Sequence, residues 1–309
     1  RMIDIITGLL EASVRMSVPL TLAAIGGLLC ERSGVFNIGL EGMMLFGAFA
    51  GVAIAGATGS SLIGLGAAVL IGALLGLVLG LLCISLNGDQ IVVGIMLNVF
   101  VLGLTSIIFR TVFGLQGQTG AAPKIPVVAI PYLSTIPILG PVLFRQDLLT
   151  YLTIVIIIFF TIIIFRTPFG LRLRSAGEQP FALDSAGVSV KRTRYLCVAI
   201  SGMLAALGGA HLTLVQLSFF MDGITRGRGF IALAAVIFGK WHPVGAFGAA
   251  LLFGLAEAFQ LRLQAMGLNV PYQLLAIIPY LLTIGALAGL VGKAAPPAYV
   301  GKPFIKEAG

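Results

Sequence analysis

The sequence predicts an all-α, polytopic membrane protein, and three observations carry that expectation. The mean hydropathy is +1.10. Of the 309 residues, 59% are hydrophobic and 10% are charged. Apolar runs of membrane-spanning length recur along the chain. A soluble domain with this composition would expose apolar patches far beyond what water tolerates. Helices are the expected solution for so many spans, because every backbone N–H and C=O must be satisfied inside hydrocarbon. The net charge of +8 then reads as topological, since Lys and Arg gather on the cytoplasmic side of membrane proteins.

A hydrocarbon core about 30 Å thick takes about 20 helical residues. The spans expected on that basis are 14–30, 38–57, 62–86, 91–113, 148–165, 195–217, 244–261 and 272–291. Residues 230–239 are too short to cross and are expected as a half-helix. Broken and half-helices included, this amounts to about eight to ten membrane helices in a single domain over 1–309. Residues 1–13, where Asp4 and Glu11 share a face with Arg15, are expected to lie along the interface.

Orientation comes from the polar stretch 167–194, which separates two uncharged apolar runs. It carries Arg172, Arg174, Lys191, Arg192 and Arg194, with Arg166 at its edge. A basic loop of this kind is cytoplasmic. Alternation then places 114–147 outside and the 292–309 tail, with Lys293, Lys302 and Lys306, inside. Pro123, Pro126, Pro131, Pro137 and Pro141 suit an ordered external cap over 114–147. In the cytoplasmic loop, Gly177, Glu178, Gln179, Pro180, Phe181, Asp184 and Gly187 read as a turn, a Pro-started short helix and a Gly stop. That pattern makes a rigid handle.

Leu22-Ala23-Ala24-Ile25-Gly26-Gly27 matches Leu204-Ala205-Ala206-Leu207-Gly208-Gly209, and alternation gives the two copies opposite directions. Inverted repeats are a transporter architecture, although short Gly/Ala matches also arise by chance. Gly47/Gly51, Gly72/Gly76/Gly80 and Gly285/Gly289 recur four apart and are expected as helix-packing seams.

Several chemistries are excluded. Gly292-Lys293 lacks the upstream glycine and the following hydroxyl of a phosphate loop, and no Gly-x-Ser-x-Gly elbow occurs. His211 and His242 lie far in sequence from any ligand-spaced cluster, so no metal is expected. Cys30, Cys83 and Cys197 read as small buried hydrophobes. An enzyme is not expected.

Ionisable groups inside spans need an explanation, and Glu41 and Glu257 are the two that require one. Asn37, Glu41 and Met44 fall at i, i+4 and i+7, one face of the second span. Glu41 is either an anchor, with Arg32 as an ion-pair partner, or a pathway residue. Gln90, Gly94, Asn98 and Thr105 form a polar stripe that either bonds to other helices or lines a wet cavity. Phe230 opens the half-helix behind a glycine-rich stretch, 222–229. Such a helix N-terminus is a common device for binding substrate, and simple packing is the alternative.

Glu31-Arg32-Ser33-Gly34-Val35-Phe36-Asn37-Ile38-Gly39-Leu40-Glu41-Gly42 resembles a signature of permease subunits from bacterial nucleoside ABC importers. That group is related to ribose and branched-chain amino acid permeases. Residues 177–190 resemble its cytoplasmic coupling segment, with Gln179 and Leu183 in place of the usual Asn and Ala, and 227–239 resemble a third block. The resemblance implies a vitamin-importer-like (type II) ABC permease fold in the bacterial inner membrane, built from inverted repeats. It implies nucleoside translocation by alternating access, coupled to a separate ATPase that carries ATP and Mg, so that this chain needs no cofactor. It also implies three partners: a second homologous permease in a heterodimer, an ABC ATP-binding subunit, and an extracytoplasmic nucleoside-binding lipoprotein. On this reading Asn37, Glu41, Met44, Asn98 and Phe230 line the pathway, and the residues from Gly177 to Gly187 named above meet the ATPase. A ribose-type permease and an ion-coupled secondary transporter remain as alternatives.

Overall fold

The computed structural model describes residues 2–114, 117–265 and 295–305, with residues 277, 281 and 285 besides. Apart from those three residues, the expected span 272–291 lies outside the described residues, as do Gly289 of the last glycine pair and both ends of the 292–309 tail. The chain runs through α1 (Met2–Arg32), α2 (Leu40–Thr58), α3 (Ser61–Gly80) and α4 (Gln90–Phe113). A connecting segment follows, with β1 (Val127–Ala129), α5 (Leu139–Leu143) and β2 (Arg145–Asp147). The remaining helices are α6 (Leu148–Arg166), α7 (Pro168–Glu178), α8 (Pro180–Ser185), α9 (Val190–His211), α10 (Arg228–Phe238) and α11 (Pro243–Ala265). Helices α3 and α9 each end in a π-helical turn, Leu81–Ser85 and Leu212–Leu217.

Among the described residues, seven helices are long and apolar enough to cross a membrane: α1, α2, α3, α4, α6, α9 and α11. Helix α10 has 11 residues, about 16 Å at 1.5 Å per residue, roughly half the hydrocarbon thickness. Helix α9 is the hub, with α1, α2 and α3 packed around it; α11 and α10 lie on α1, and α4 on α2. Burial follows that order. The apolar windows of α1 and α9 are 83% and 78% buried, whereas those of α4 and α6 are 22% and 33% buried. Ile95, Val99 and Phe100 on α4, and Val155 and Ile158 on α6, are exposed, which is the face that hydrocarbon requires.

The glycine seams explain why α9 is central. A Cβ at Gly47 would meet Ala206 at 2.4 Å, one at Gly72 would meet the Gly202 carbonyl at 2.3 Å, and one at Gly76 the Val198 carbonyl at 2.5 Å. Helices α2 and α3 thus approach the same helix through residues without side chains, as small-residue membrane seams do.

The two copies of the repeat face each other. A Cβ at Gly26 would lie 2.7 Å from the Ser201 carbonyl, and one at Gly208 would lie 2.7 Å from the Pro19 carbonyl. Ser201 and Pro19 each stand three residues before the leucine of their own copy, so the contact is reciprocal. Residue numbers rise on α1 as they fall on α9, so the helices are antiparallel. The short Leu-Ala-Ala match therefore marks a local two-fold relation.

Two expectations need correction. Residues 2–13 do not form a separate interfacial helix; they continue into the first span as α1, a single helix of 31 residues. The reason is packing. A Cβ at Gly254 of α11 would sit 2.6 Å from the Ser13 carbonyl, and one at Gly8 would sit 3.3 Å from Arg262 Nη1 of α11, so α11 flanks α1 before residue 14, and Pro19 falls inside the helix without ending it. The polar stretch 167–194 is also more regular than a loop, because Thr167 caps α7 by accepting from the Gly170 N–H, and Pro168 starts it.

Residues 117–147, between α4 and α6, include two short paired strands. Strands β1 and β2 pair antiparallel, with Val127 opposite Asp147. The segment is tied to the end of α9 by N–H donors of Thr119, Ala122 and Ile125 to the carbonyls of Phe220, Ser218 and Leu214. Asp147 caps α6 by accepting from Thr150, and its Oδ2 lies 3.6 Å from buried His211 Nε2. Burial raises the Asp147 pKa, but the nearby His211 ring and the hydrogen bonds from Thr150 prevail and hold it down at about 2. Sequence distance concealed this His–Asp pair.

Candidate functional site: two interrupted helices joined at Glu41

Helix α1 ends at Arg32, and α2 starts only at Leu40. The intervening turn, 33–39, folds back along α1 and α9. Gly34 takes φ +92°, in the left-handed region that glycine adopts without strain. Asn37 Nδ2 donates to Ser201 Oγ at 2.9 Å, and Ser201 is also the contact of Gly26. Residue 37 is therefore level with a point six residues before the end of α1, about 9 Å back along its axis. Helix α2 begins inside the molecule, not at its edge.

Helix α10 begins at the same level from the other repeat. Its N-terminal N–H groups have no preceding helical turn to satisfy them, and Glu41 takes that role. Glu41 Oε1 accepts from Thr225 Oγ1 at 2.6 Å and from Gly227 N at 2.8 Å, while Oε2 accepts from Gly229 N at 2.6 Å. A carboxylate at a helix N-terminus is favoured by the helix dipole as well as by these bonds. The approach is close: a Cβ at Gly229 would stand 2.5 Å from Glu41 Cα. The residue before Gly229, Arg228, donates to Glu257 of α11, which accounts for the second intramembrane acid.

Helix α4 holds the break from the other side, and its polar stripe does the holding. Gln90 Oε1 accepts from Phe36 N at 2.6 Å. Asn98 Oδ1 accepts from Gly42 N at 2.8 Å, and its Nδ2 donates to the Ile38 carbonyl at 2.9 Å. A Cβ at Gly94 would meet Ile38 at 2.9 Å. Of the two readings of this stripe, helix bonding is the one realised at Gln90 and Asn98.

The residues expected on the pathway therefore divide. Glu41 and Asn98 meet at the start of α2, and Phe230 stands one residue beyond Gly229, exposed. Asn37 does not share a helical face with Glu41 and Met44, because it precedes α2 and turns toward Ser201. Met44 is fully buried, and a Cβ at Gly209 of α9 would collide with its carbonyl. Arg32 does not pair with Glu41. The 33–39 turn carries Glu41 away, and Arg32 instead donates to the Trp241 carbonyl at 3.0 Å and stands over the Phe165 ring. The Thr225-x-Gly227-x-Gly229 partners of Glu41 went unrecognised in the sequence. Their signal was the alternation of glycines at the opening of a half-helix.

Away from this node, helices α7 and α8 follow one another with only Gln179 between them, and residues 295–305 lie against both. Pro180 starts α8 and is buried, Leu183 is buried, and Phe181 faces outward against Tyr299 and Phe304. Gly187 takes φ +79° after α8. Glu178 and Gln179 are exposed and Asp184 is half-buried. Gly177 is buried, and its carbonyl accepts from Tyr299 N at 2.8 Å. Glu178 accepts from Ala298 N at 3.2 Å. Residues 295–305 thus lie across α7 and α8, and Phe304 is buried with Ala176, Leu183 and Val190. Between Phe304, Asp184 and the start of α9 remains a cleft of about 420 Å³.

A bundle of membrane-spanning helices, a local inverted repeat, and two helices that start inside the molecule and share one carboxylate together define a transport permease. The chain belongs to the family of permease components of branched-chain amino acid transport systems, whose family model matches residues 9–287. It is 40% identical to the guanosine ABC transporter permease protein NupQ of Bacillus subtilis, over 98% of this chain and 98% of that one. It is 40% identical to the nucleoside ABC transporter permease protein NupC of Lactococcus lactis subsp. cremoris, over 94% of each. A putative glucose ABC transporter permease protein of Haloferax volcanii, TsgC13, is 36% identical over 91% of this chain and 91% of that one. No solved structure matches the chain. These relatives are translocation components rather than enzymes. The chain is a multi-pass inner-membrane permease subunit of an ABC importer, a class that works with an ATPase and a substrate-binding partner.

Proposed function

We propose that this subunit translocates nucleosides along the surface where α2, α4 and α10 meet, by alternating access driven from a separate ATPase docked at α8. The observation that carries the nucleoside reading is the 40% identity to a guanosine permease over 98% of both chains. The route is supported by the Glu41 node, because discontinuous helices with facing N-termini are the usual setting of transporter substrate sites. Phe230 offers an exposed aromatic face beside that node, suited to stacking on a nucleobase. Asn98 and Glu41 border that surface and fix the starts of α2 and α10 through their bonds to them, while Asn37 and Met44 act from behind by holding the turn and the wall.

Docking at α8 is supported by a rigid cytoplasmic element formed by residues from Gly177 to Gly187, in a chain without a phosphate loop. ATP and Mg then reside on the ABC subunit. A second, homologous permease subunit completes a heterodimer, and an extracytoplasmic nucleoside-binding lipoprotein delivers substrate. The test is uptake into proteoliposomes holding the whole complex, with a nucleoside panel beside ribose and glucose. ATP-dependent nucleoside uptake is expected. ATP-dependent uptake of sugars alone overturns the substrate class, and ion-driven uptake by this chain without an ATPase overturns the coupling.

A further inference from the structure

Arg194, near the cytoplasmic end of α9, is 2% exposed. Its guanidinium is divided among three main-chain carbonyls from three separate segments. Nε donates to Ser33 at 3.1 Å, Nη1 to Lys302 at 3.3 Å, and Nη2 to Ala176 at 3.4 Å. Ser33 opens the turn that leads to Glu41, Ala176 belongs to α7, and Lys302 belongs to the tail lying across α7 and α8. We infer that Arg194 is a positioning residue that joins the α7–α8 segment to the 33–39 turn, and so to the Glu41 cap on α10. The inference rests on reading α8 as the ATPase docking element.

The surroundings leave no slack at this joint. A Cβ on Gly34 would stand 2.6 Å from Arg194 Nη2 and 3.1 Å from the Ala176 carbonyl. One on Gly177 would stand 2.3 Å from the Arg32 carbonyl. Helix α7 therefore bears on the backbone of residues 32–34 with no side chain between them. Close-packed interiors of low compressibility transmit displacement instead of absorbing it. Four residues beyond Ser33 is Asn37, held to α9, and four beyond that is Glu41, held to α10. A shift of α7 then reaches the start of α10 through nine residues of chain, 33–41, with Arg194 fixing its near end. Arginine suits this position, since a planar fork with five donors can serve three carbonyls at once, whereas the point charge of lysine cannot.

The test uses the complete complex, with its ATPase and binding protein, in proteoliposomes. The readout is substrate transported per ATP hydrolysed, which a purely structural defect in surviving complexes would leave alone. Arg194→Lys is expected to lower that ratio about tenfold, the size of an ordinary coupling free energy. A wild-type ratio in the variant overturns the inference. Hydrogen exchange in the wild-type complex decides the matter independently of whether the variant assembles. Trapping nucleotide on the ATPase is expected to change exchange in 33–41 together with 175–187. A response in 175–187 with no change in 33–41, while uptake proceeds, also overturns the joint. Absence of ATP-driven uptake in the wild type, or of any response in 175–187, instead refutes the docking reading on which the joint depends.

Discussion

At the scale of single residues, Glu41 is where the two halves of the molecule exchange a bond. Its two oxygens receive three donors from the start of α10. Replacing it by Gln keeps the shape but turns an N–H toward the Gly229 N–H, leaving a donor without an acceptor. Hydrogen bonds to charged groups contribute about 1.5–3 kcal/mol, so Glu41→Gln is expected to destabilise the chain by about 2 kcal/mol and to lower uptake. Thermal unfolding of the detergent-solubilised variant and uptake by its complex are the measurements. Wild-type values in both would remove the cap from the mechanism. The sequence marked Glu41 as anomalous through the cost of a charge inside a span, but it could not name the partners. Those lie 184 to 188 residues away, beyond anything helical periodicity relates, and Arg32 was merely the nearest opposite charge in the chain. Asn37 was misplaced for a related reason: spacing assigns it to a helical face only if the helix has begun, and α2 begins at Leu40.

At the scale of elements, the small residues were more legible than the polar ones. Four-residue glycine spacing on α2 and α3 marked seams that both close on α9, because a missing side chain is itself the packing signal. Helix α3 provides its own control. A Cβ at Gly76 would stand 2.5 Å from the Val198 carbonyl, whereas one at Gly66 meets nothing within 4 Å. Gly76→Ala is expected to force α3 from α9 at a cost of about 1–3 kcal/mol, the usual penalty of overpacking. Gly66→Ala is expected to be neutral, or to stabilise by up to about 1 kcal/mol through helix propensity. Equal shifts in unfolding temperature for the two would contradict the seam. Helix α7 was hidden in a stretch read as a loop because its sequence is short and polar, without the apolar run that reveals a span. The continuity of α1 was hidden because acids at positions 4 and 11 suggest an interface, while the packing of α11 against Ser13 is a tertiary fact.

At the scale of the whole molecule, the inverted repeat places the two broken helices at one level, and α7 and α8 sit at the far end of the same hub. The tail was legible only as a basic cytoplasmic end. Its bonds to Gly177 and Glu178 and the burial of Phe304 make it a brace for α8. Phe181 then stands on a firm base, 46% exposed with Tyr299 and Phe304 beside it. An exposed aromatic backed by the half-buried Tyr299 and the buried Phe304 is the kind of rigid anchor that dominates protein interfaces. Phe181→Asp places a charge on that outer face without touching the buried Pro180 or Leu183, so the chain is expected to remain folded and membrane-inserted. Loss of an aromatic hot spot costs at least about 2 kcal/mol, roughly a thirtyfold loss of affinity for the ATPase. Co-purification of the ATPase with the variant, compared at equal amounts of folded permease, is the measurement. Full retention of the ATPase together with wild-type uptake would move the docking surface away from α8.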